Sequence, residues 1–393
     1  MTKKPVFRNH GSGIENRRLQ RIFRLRKNGT RKRLLFLAPS MGGGGAERFL
    51  SILMRHMDRN RFQLTMGLVK KTGPFLEDLP RDIDVVDLKA GRVRYALSRI
   101  IRMVRKNRPD AVFSTLGHLN VATILIRPLM PRGTKIIIRE TNIPSINIKQ
   151  SPFTNLLPFF YRMLYNRFDK VICQSQDMLN DLVTNFGFRR DNGIVINNPV
   201  DLESIDKKIH GSKNLLPPGV FNILAAGKLK YQKGFDLLLK SMDRVQRVDW
   251  HLTILGQGPE EQRLKKKAHE LCLSKMVTFR GFVENPYTFM SQADLFVLSS
   301  RFEGFPNVVL EAMACGTPVV AFECPGGINE IIDDGVNGWK VRPEDTRALT
   351  RAIETAMKTQ LDSNLIRKSV QERFGVEKIV NEYETMFLEV LNS

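Results

Sequence analysis

Residues 293–321 read ADLFVLSSRFEGFPNVVLEAMACGTPVVA, and this stretch decides the fold. From Asp294 to Ser299 the run is short and apolar, which predicts a buried strand. Asn307 can cap a helix carrying Val308, Leu310, Glu311 and Met313. Gly316 stands where a helix C-terminal glycine is expected, and Pro318 prevents continuation. A second apolar strand follows over 317–322, so the unit is strand, turn, helix, strand, with SRFEGFP (300–306) as its β-to-α turn. In a parallel sheet that turn lies at the carboxyl edge, where ligands bind. Gly304 permits close backbone approach there, and the helix N-terminus offers unpaired N–H groups to an anion such as a diphosphate. Glu303 and Glu311 stand eight positions apart, roughly 12 Å at helical spacing. Retaining glycosidases hold their two carboxylates only about 5 Å apart, so these two glutamates have separate jobs.

Strand–helix alternation extends in both directions. Downstream of residue 220, strands are expected over 221–226, 250–255 and 277–279, with helices over 345–358 and 376–391. Upstream they are expected over 33–39, 63–69, 85–88, 111–114, 135–139 and 170–174. Residues 201–219 read as an irregular linker. After the first strand comes Met41-Gly42-Gly43-Gly44-Gly45-Ala46-Glu47-Arg48, a glycine run able to bring backbone amides close to phosphate or substrate. Glu47 occupies the place of the third glycine in the dinucleotide pattern, which argues against NAD. His118 follows the strand over 111–114 at the carboxyl edge, and Arg139 ends another strand there, able to meet a phosphate or an acidic acceptor.

Length and composition fit two ordinary domains: 393 residues, 42% of them hydrophobic. No apolar run reaches the ~18–20 residues of a membrane span, and the first thirty residues lack a signal-peptide core. Cys173, Cys272, Cys315 and Cys324 are scattered, which predicts reduced core thiols and a cytoplasmic protein. No His/Cys cluster has metal-ligand spacing, so no metal is expected. The net charge of +22 is uneven: residues 1–200 carry +23 and the remainder −1. This asymmetry predicts an acidic partner for the first half. Residues 1–33 hold twelve basic residues and one acid, Glu15, and form a basic N-terminal arm. It can lie on an anionic membrane, remain a disordered arm, or bind nucleic acid; no recognition pattern supports the last. Residues 152–165 are rich in large apolar and aromatic side chains, as a buried helix or an interfacial patch beside a lipid would be.

Glu303-x7-Glu311, with Gly-Phe-Pro between and Ala-Cys-Gly-Thr-Pro-Val-Val after, resembles the signature of GT4-type retaining glycosyltransferases. The resemblance covers most residues from Arg33 onward. It implies the GT-B fold, two facing Rossmann-like α/β domains with parallel sheets. An acceptor domain over 34–200, a nucleotide-sugar domain over 201–374 and a C-terminal helix over 375–393 crossing back to the first domain are expected. Gly227-Lys228-Leu229 with Lys233-Gly234 is similar to the family's Gly-Arg-Leu…Lys-Gly, Lys228 replacing the usual arginine. By this resemblance Lys228 and Lys233 hold the donor diphosphate, and turn amides over Phe305, Pro306, Asn307 and Val308 help bind phosphate and sugar. Glu311 meets the ribose, Glu303 holds sugar hydroxyls, and Gly281 lies where the base is read. His118 approaches the sugar from the other domain. Gly43, Gly44, Gly45 and Glu47, with Arg139 and Asn198, face the cleft on the acceptor side. Asp82-Ile83-Asp84 superficially matches the metal motif of the other large glycosyltransferase fold, but reads as a solvated loop. The implied function is sugar transfer from a nucleotide-diphosphate donor, taken as UDP-linked, to a glycolipid or glycan acceptor. Its implied setting is the cytoplasmic face of an anionic membrane, without metal and without nucleic acid. The alternatives are a nucleotide-sugar 2-epimerase of the same fold and a non-catalytic nucleic-acid or membrane adaptor.

Overall fold

The computed structural model describes residues 31–149, 157–211, 213–247 and 249–393. Residues 1–30 of the basic arm and 152–156 of the aromatic segment lie outside the described residues. Seven strands form the first sheet: β1 (Lys32–Ala38), β2 (Phe62–Leu68), β3 (Asp84–Asp87), β4 (Ala111–Thr115), β5 (Lys135–Arg139), β6 (Lys170–Cys173) and β7 (Gly193–Val195). Between them run helices α1 (Gly45–His56), α2 (Val93–Asn107), α3 (Gly117–Leu125), α4 (Pro144–Lys149), α5 (Leu157–Leu164) and α6 (Gln176–Phe186). The chain crosses over through α7 (Leu202–Ile209). Six strands build the second sheet: β8 (Phe221–Ala226), β9 (Trp250–Leu255), β10 (Val277–Gly281), β11 (Leu295–Leu298), β12 (Val319–Phe322) and β13 (Gly338–Val341). Its helices are α8 (Phe235–Met242), α9 (Glu261–Glu270), α10 (Tyr287–Met290), α11 (Asn307–Ala314), α12 (Ile328–Ile331) and α13 (Thr346–Ala356), and the chain ends through α14 (Ser363–Phe374) and α15 (Val376–Leu391).

Strand orders are β3-β2-β1-β4-β5-β6-β7 and β10-β9-β8-β11-β12-β13, every ladder parallel. Central strands such as LLFLA and LFVL are apolar on both sides because helices cover both faces of each sheet. On one face of the first sheet, α2, α3, α5 and α6 bury Ile100, Leu119, Leu164 and Leu182 against Leu35, Val112 and Ile138. On the other, α1 and α15 bury Phe49, Leu53 and Phe387 against Phe36, Phe113 and Ile137. The last helix therefore completes the core of the first domain. To reach it the chain crosses back beside its outward crossing: Val200 bridges Gly375, and the Val200 N–H donates to the Phe374 carbonyl at 2.9 Å.

The structure corrects three local expectations. Asn307 is the first helical residue of α11 after Pro306 and makes no cap; its side-chain oxygen instead accepts from Asn198. The linker over 201–219 contains α7, because the Asp201 carboxylate caps it through the Ser204 N–H at 3.0 Å, with Glu203 in its first turn and Lys207 and Lys208 in its last. Of the four cysteines, Cys272 is exposed, on a left-handed residue just past α9, while Cys173 and Cys324 are buried.

Candidate active site at the domain cleft

Each sheet reverses its winding at one point, between β1 and β4 and between β8 and β11, and the cleft is built from the loops at those points. In the second domain the loop over 227–234 is pinned against the end of β11. Gly234 has φ +60°, and a Cβ there would meet the Ser299 carbonyl at 2.0 Å. The Gln232 amide donates to the Phe302 carbonyl at 2.9 Å, and Arg301 forks onto Asp236 at 2.9 Å while stacking on the Tyr231 ring. On this frame Lys233 Nζ donates to Glu303 Oε1 at 2.6 Å, and the Ser300 hydroxyl donates to the same oxygen at 2.6 Å. Glu303 is buried. Lys228 is exposed and Lys230 half-buried in the same loop, neither with a carboxylate partner among the described residues. Burial, then the neighbouring Lys233, lowers the pKa of Lys230.

The glycine loop of the first domain faces α11. A Cβ at Gly45 would stand 3.0 Å from Asn307 Nδ2, and one at Gly44 would stand 2.5 Å from the Glu47 carboxylate, which folds back over the loop. Gly43 is open. One residue on, Arg48 reaches across the cleft and pairs with Glu311, whose charge holds the guanidinium firmly protonated. Beside this pair lies a cavity of about 430 Å³, whose lining includes Gly43, Asn198, Phe282, Tyr287 and Asn307. Gly281, at φ +74°, closes β10 in a bulge and turns the exposed Phe282 toward that cavity. Glu303 and Glu311 thus have different partners, a lysine of their own domain and an arginine of the other.

His118 begins α3, exposed and without a hydrogen bond among the described residues; partial burial lowers its pKa. Ahead of it Leu116 is held at φ +80°, a strained turn at the cleft edge. Two expected contacts, those of Arg139 and Gly304, sit differently from the sequence reading. Arg139 is 1% exposed, lies 3.8 Å over the Phe49 ring and donates to Asn198, so it cannot reach an acceptor. Asn198 is buried at the domain junction, donating to Gln174 at 2.9 Å and Asn307 at 2.6 Å. The Phe305 ring packs in the core against Phe374, leaving only its backbone for a ligand, as does the buried Pro306; Val308 is half-buried. Gly304 is required by the facing domain: a Cβ would meet the Thr141 carbonyl at 2.2 Å. Arg48, Lys230 and Ser300 are absent from the sequence-based candidates. Arg48 follows Glu47 directly and Lys230 lies between the two chosen lysines, so proximity to the motifs was their one signal.

Behind Arg139, Glu140 is fully enclosed. Its carboxylate accepts from the Tyr165 hydroxyl and from Asn120 at 3.3 Å, and burial raises its pKa from 4.5 to about 7. Between those values the folded chain keeps a proton that the unfolded chain releases, so this group's contribution to stability falls as pH rises through 4.5 to 7 and then levels. Glu140→Gln should remove that slope. Urea unfolding at about pH 5 and 8 should show the wild type losing roughly 2–3 kcal/mol more than the variant. Equal slopes would refute the assignment.

Among the described residues no group of three or more His, Cys, Asp or Glu side chains can hold a metal ion. Two facing parallel-sheet domains, with a lysine–glutamate turn in one opposite a glycine loop in the other, define a glycosyltransferase of the GT-B fold. The description "Glycosyl transferases group 1" matches residues 172–373, and "Glycosyltransferase Family 4" matches residues 43–204. The chain belongs to the group 1, GT4-type glycosyltransferases. A Campylobacter jejuni relative, N-acetylgalactosamine-N,N'-diacetylbacillosaminyl-diphospho-undecaprenol 4-alpha-N-acetylgalactosaminyltransferase, is 27% identical over 344 residues, covering 85% of this chain and 91% of its own. The amylovoran biosynthesis glycosyltransferase AmsD of Erwinia amylovora is 24% identical over 90% of this chain and 98% of its own. Among solved structures, Anabaena HepE in complex with UDP superposes with a TM-score of 0.74 at 21% identity, over 92% of this chain and all of its own. Sucrose-phosphate synthase of Thermosynechococcus elongatus gives 0.77 at 18%, with the same coverage.

Proposed function

We propose that the protein transfers a hexose or N-acetylhexosamine from a UDP-linked donor to a lipid-linked or polysaccharide-precursor acceptor, with retention at the anomeric carbon. The observation that carries this reading is the pair of half-buried Lys233 and buried Glu303 at the switch-point turn. The hard step is departure of a diphosphate from an oxocarbenium-like centre, and fixed positive charge placed beforehand stabilises the charge that develops. Lys233 and Lys228 supply it without a metal, aided by the backbone of residues 305–308. A sugar bound over Glu303 frees Lys233 toward the phosphate. Glu311 exchanges Arg48 for ribose hydroxyls. A neutral His118 faces the sugar from the first domain. Retention follows from front-face departure and attack within one closed cleft, from which water is excluded.

The donor is inferred with support from the UDP held by Anabaena HepE. The acceptor is inferred from the diphospho-undecaprenol compound named for the Campylobacter relative. Both agree with the positive first domain. A diphosphate-linked lipid is anionic and membrane-held, so a protein acting on it would work peripherally, at the cytoplasmic face. No described helix is long and apolar enough to cross a membrane. Thermal shift with UDP, GDP and ADP tests the donor site: UDP alone should stabilise the protein, and Lys233→Ala should lose the shift. Equal shifts with all three, or none, would overturn the UDP assignment.

A further inference from the structure

Between Asp87 and Asp169 the chain carries fifteen Lys and Arg but two acids, Asp110 and Glu140, and Glu140 is buried. Helices α2, α3 and α5 of this segment form a layer on one face of the first sheet. Helix α2 has no acid at all. Its inner side buries Ala96, Ile100 and Val104, while Arg94, Arg102, Arg105 and Lys106 point outward. Arg105 donates to the Leu129 carbonyl and Arg94 to the Tyr95 hydroxyl, but among the described residues no cation of α2 meets a carboxylate. Arg102 and Lys106, one turn apart, repel each other without relief from a carboxylate among the described residues.

The same layer exposes large apolar side chains. Tyr95, Leu125, Leu129, Phe159 and Met163 are 41–60% exposed, five of the ten large hydrophobic residues that stand out from the described surface. Unpaired cations interleaved with protruding aliphatic and aromatic groups match the interface of an anionic bilayer, with charges at the headgroups and apolar tips below them. Nucleic acid would reward the cations and stack on rings, yet it offers nothing to Leu125, Leu129 and Met163.

We propose that the outer surface of the α2–α3–α5 layer is the face on which this protein lies against an anionic phospholipid bilayer. This assigns the membrane contact to a folded surface, separate from the basic arm, and its placement rests on charge and exposure rather than on the donor reading. Helix α3 joins the two regions. It carries His118 in its first turn on the cleft edge and ends at Leu125 in the proposed face, about 10 Å along its axis. An acceptor anchored in the bilayer would enter the cleft over that short distance.

Flotation of the full chain with vesicles tests the proposal, using phosphatidylcholine alone and phosphatidylcholine with about 30% phosphatidylglycerol. The wild type should float with the anionic vesicles and stay behind with the neutral ones. Arg102→Glu with Lys106→Glu should weaken binding roughly tenfold or more, as should Leu125→Ser with Phe159→Ser. All four positions are exposed, so melting temperatures should match the wild type; the milder Arg102→Gln with Lys106→Gln pair, weakening binding in the same direction, guards against misfolding. Unchanged flotation of these variants overturns the proposal and moves the contact elsewhere, residues 1–30 included. Tighter binding to single-stranded nucleic acid than to anionic vesicles, lost in the same variants, also overturns it. A protein that ignores UDP yet floats through this face keeps this inference and loses the donor assignment.

Discussion

Lys233→Ala lowers kcat by about 10²–10³-fold with little change in acceptor KM, the loss expected when one fixed charge beside a departing anion is removed. The ground state has Lys233 spent on Glu303, 2.6 Å away. On the proposed reading its value to the reaction would come when donor sugar occupies Glu303 and negative charge appears on the diphosphate. Removing Lys233 also leaves the Glu303 carboxylate buried with only the Ser300 hydroxyl, so some stability is lost as well. Pairing Lys233→Ala with Glu303→Gln separates the two effects, because the double variant should regain thermal stability without regaining turnover. Lys233→Arg should recover part of kcat, since the charge returns on a longer, planar group. Steady-state kinetics on a soluble acceptor analogue provide the measurement. A Lys233→Ala enzyme with wild-type kcat would remove Lys233 from the chemistry.

Phe387→Ala should destabilise the protein by about 3–5 kcal/mol, as emptying a filled aromatic site does. Phe387 is fully buried, with Phe113 at 5.8 Å, Phe36 at 6.1 Å, Phe62 at 6.3 Å and Tyr383 at 6.4 Å between ring centroids. Phe36, Phe62 and Phe113 come from three strands of the first sheet, so the last helix of the chain is their missing wall. Glu384 adds a second fastening, accepting from the Asp58 N–H and from Arg61, each at 2.6 Å. Denaturant unfolding followed by circular dichroism reads the loss. A change below about 1 kcal/mol would mean that α15 rests on the sheet without completing its core.

The main lines of the fold were legible because doubly covered parallel strands leave unmistakable apolar runs. Residues 295–298 and 319–322 admit little other reading, with Gly316 and Pro318 ending the helix between them. Helix α7 was missed although Asp201, Glu203, Lys207 and Lys208 stand in capping and dipole order, because Pro217-Pro218 downstream coloured the whole segment as linker. At the site, residues in one β-to-α turn could be chosen from motif position alone, as Glu303 and Lys233 were. Residues whose partners come from the other domain could not. Nothing near Arg48 in sequence indicates Glu311, 263 positions away, and nothing near Gly304 indicates the Thr141 carbonyl that forbids a side chain there. Arg139 misled for a related reason. An arginine at a carboxyl edge reads as a ligand group until Phe49 and Asn198 are seen to enclose it.

The adjacent crossings at Val200 and Gly375 restrict how the cleft can work. Two chain crossings laid side by side would favour a swing about that strip, with sliding and twisting opposed by the paired backbone. On such a swing the cross-domain contacts farthest from the pivot would part first. Arg48 and Glu311 act as the clasp of that swing. On the proposed reading, a nucleotide that claims Glu311 would undo this clasp from the inside and leave the hold on the two domains to the bound donor itself.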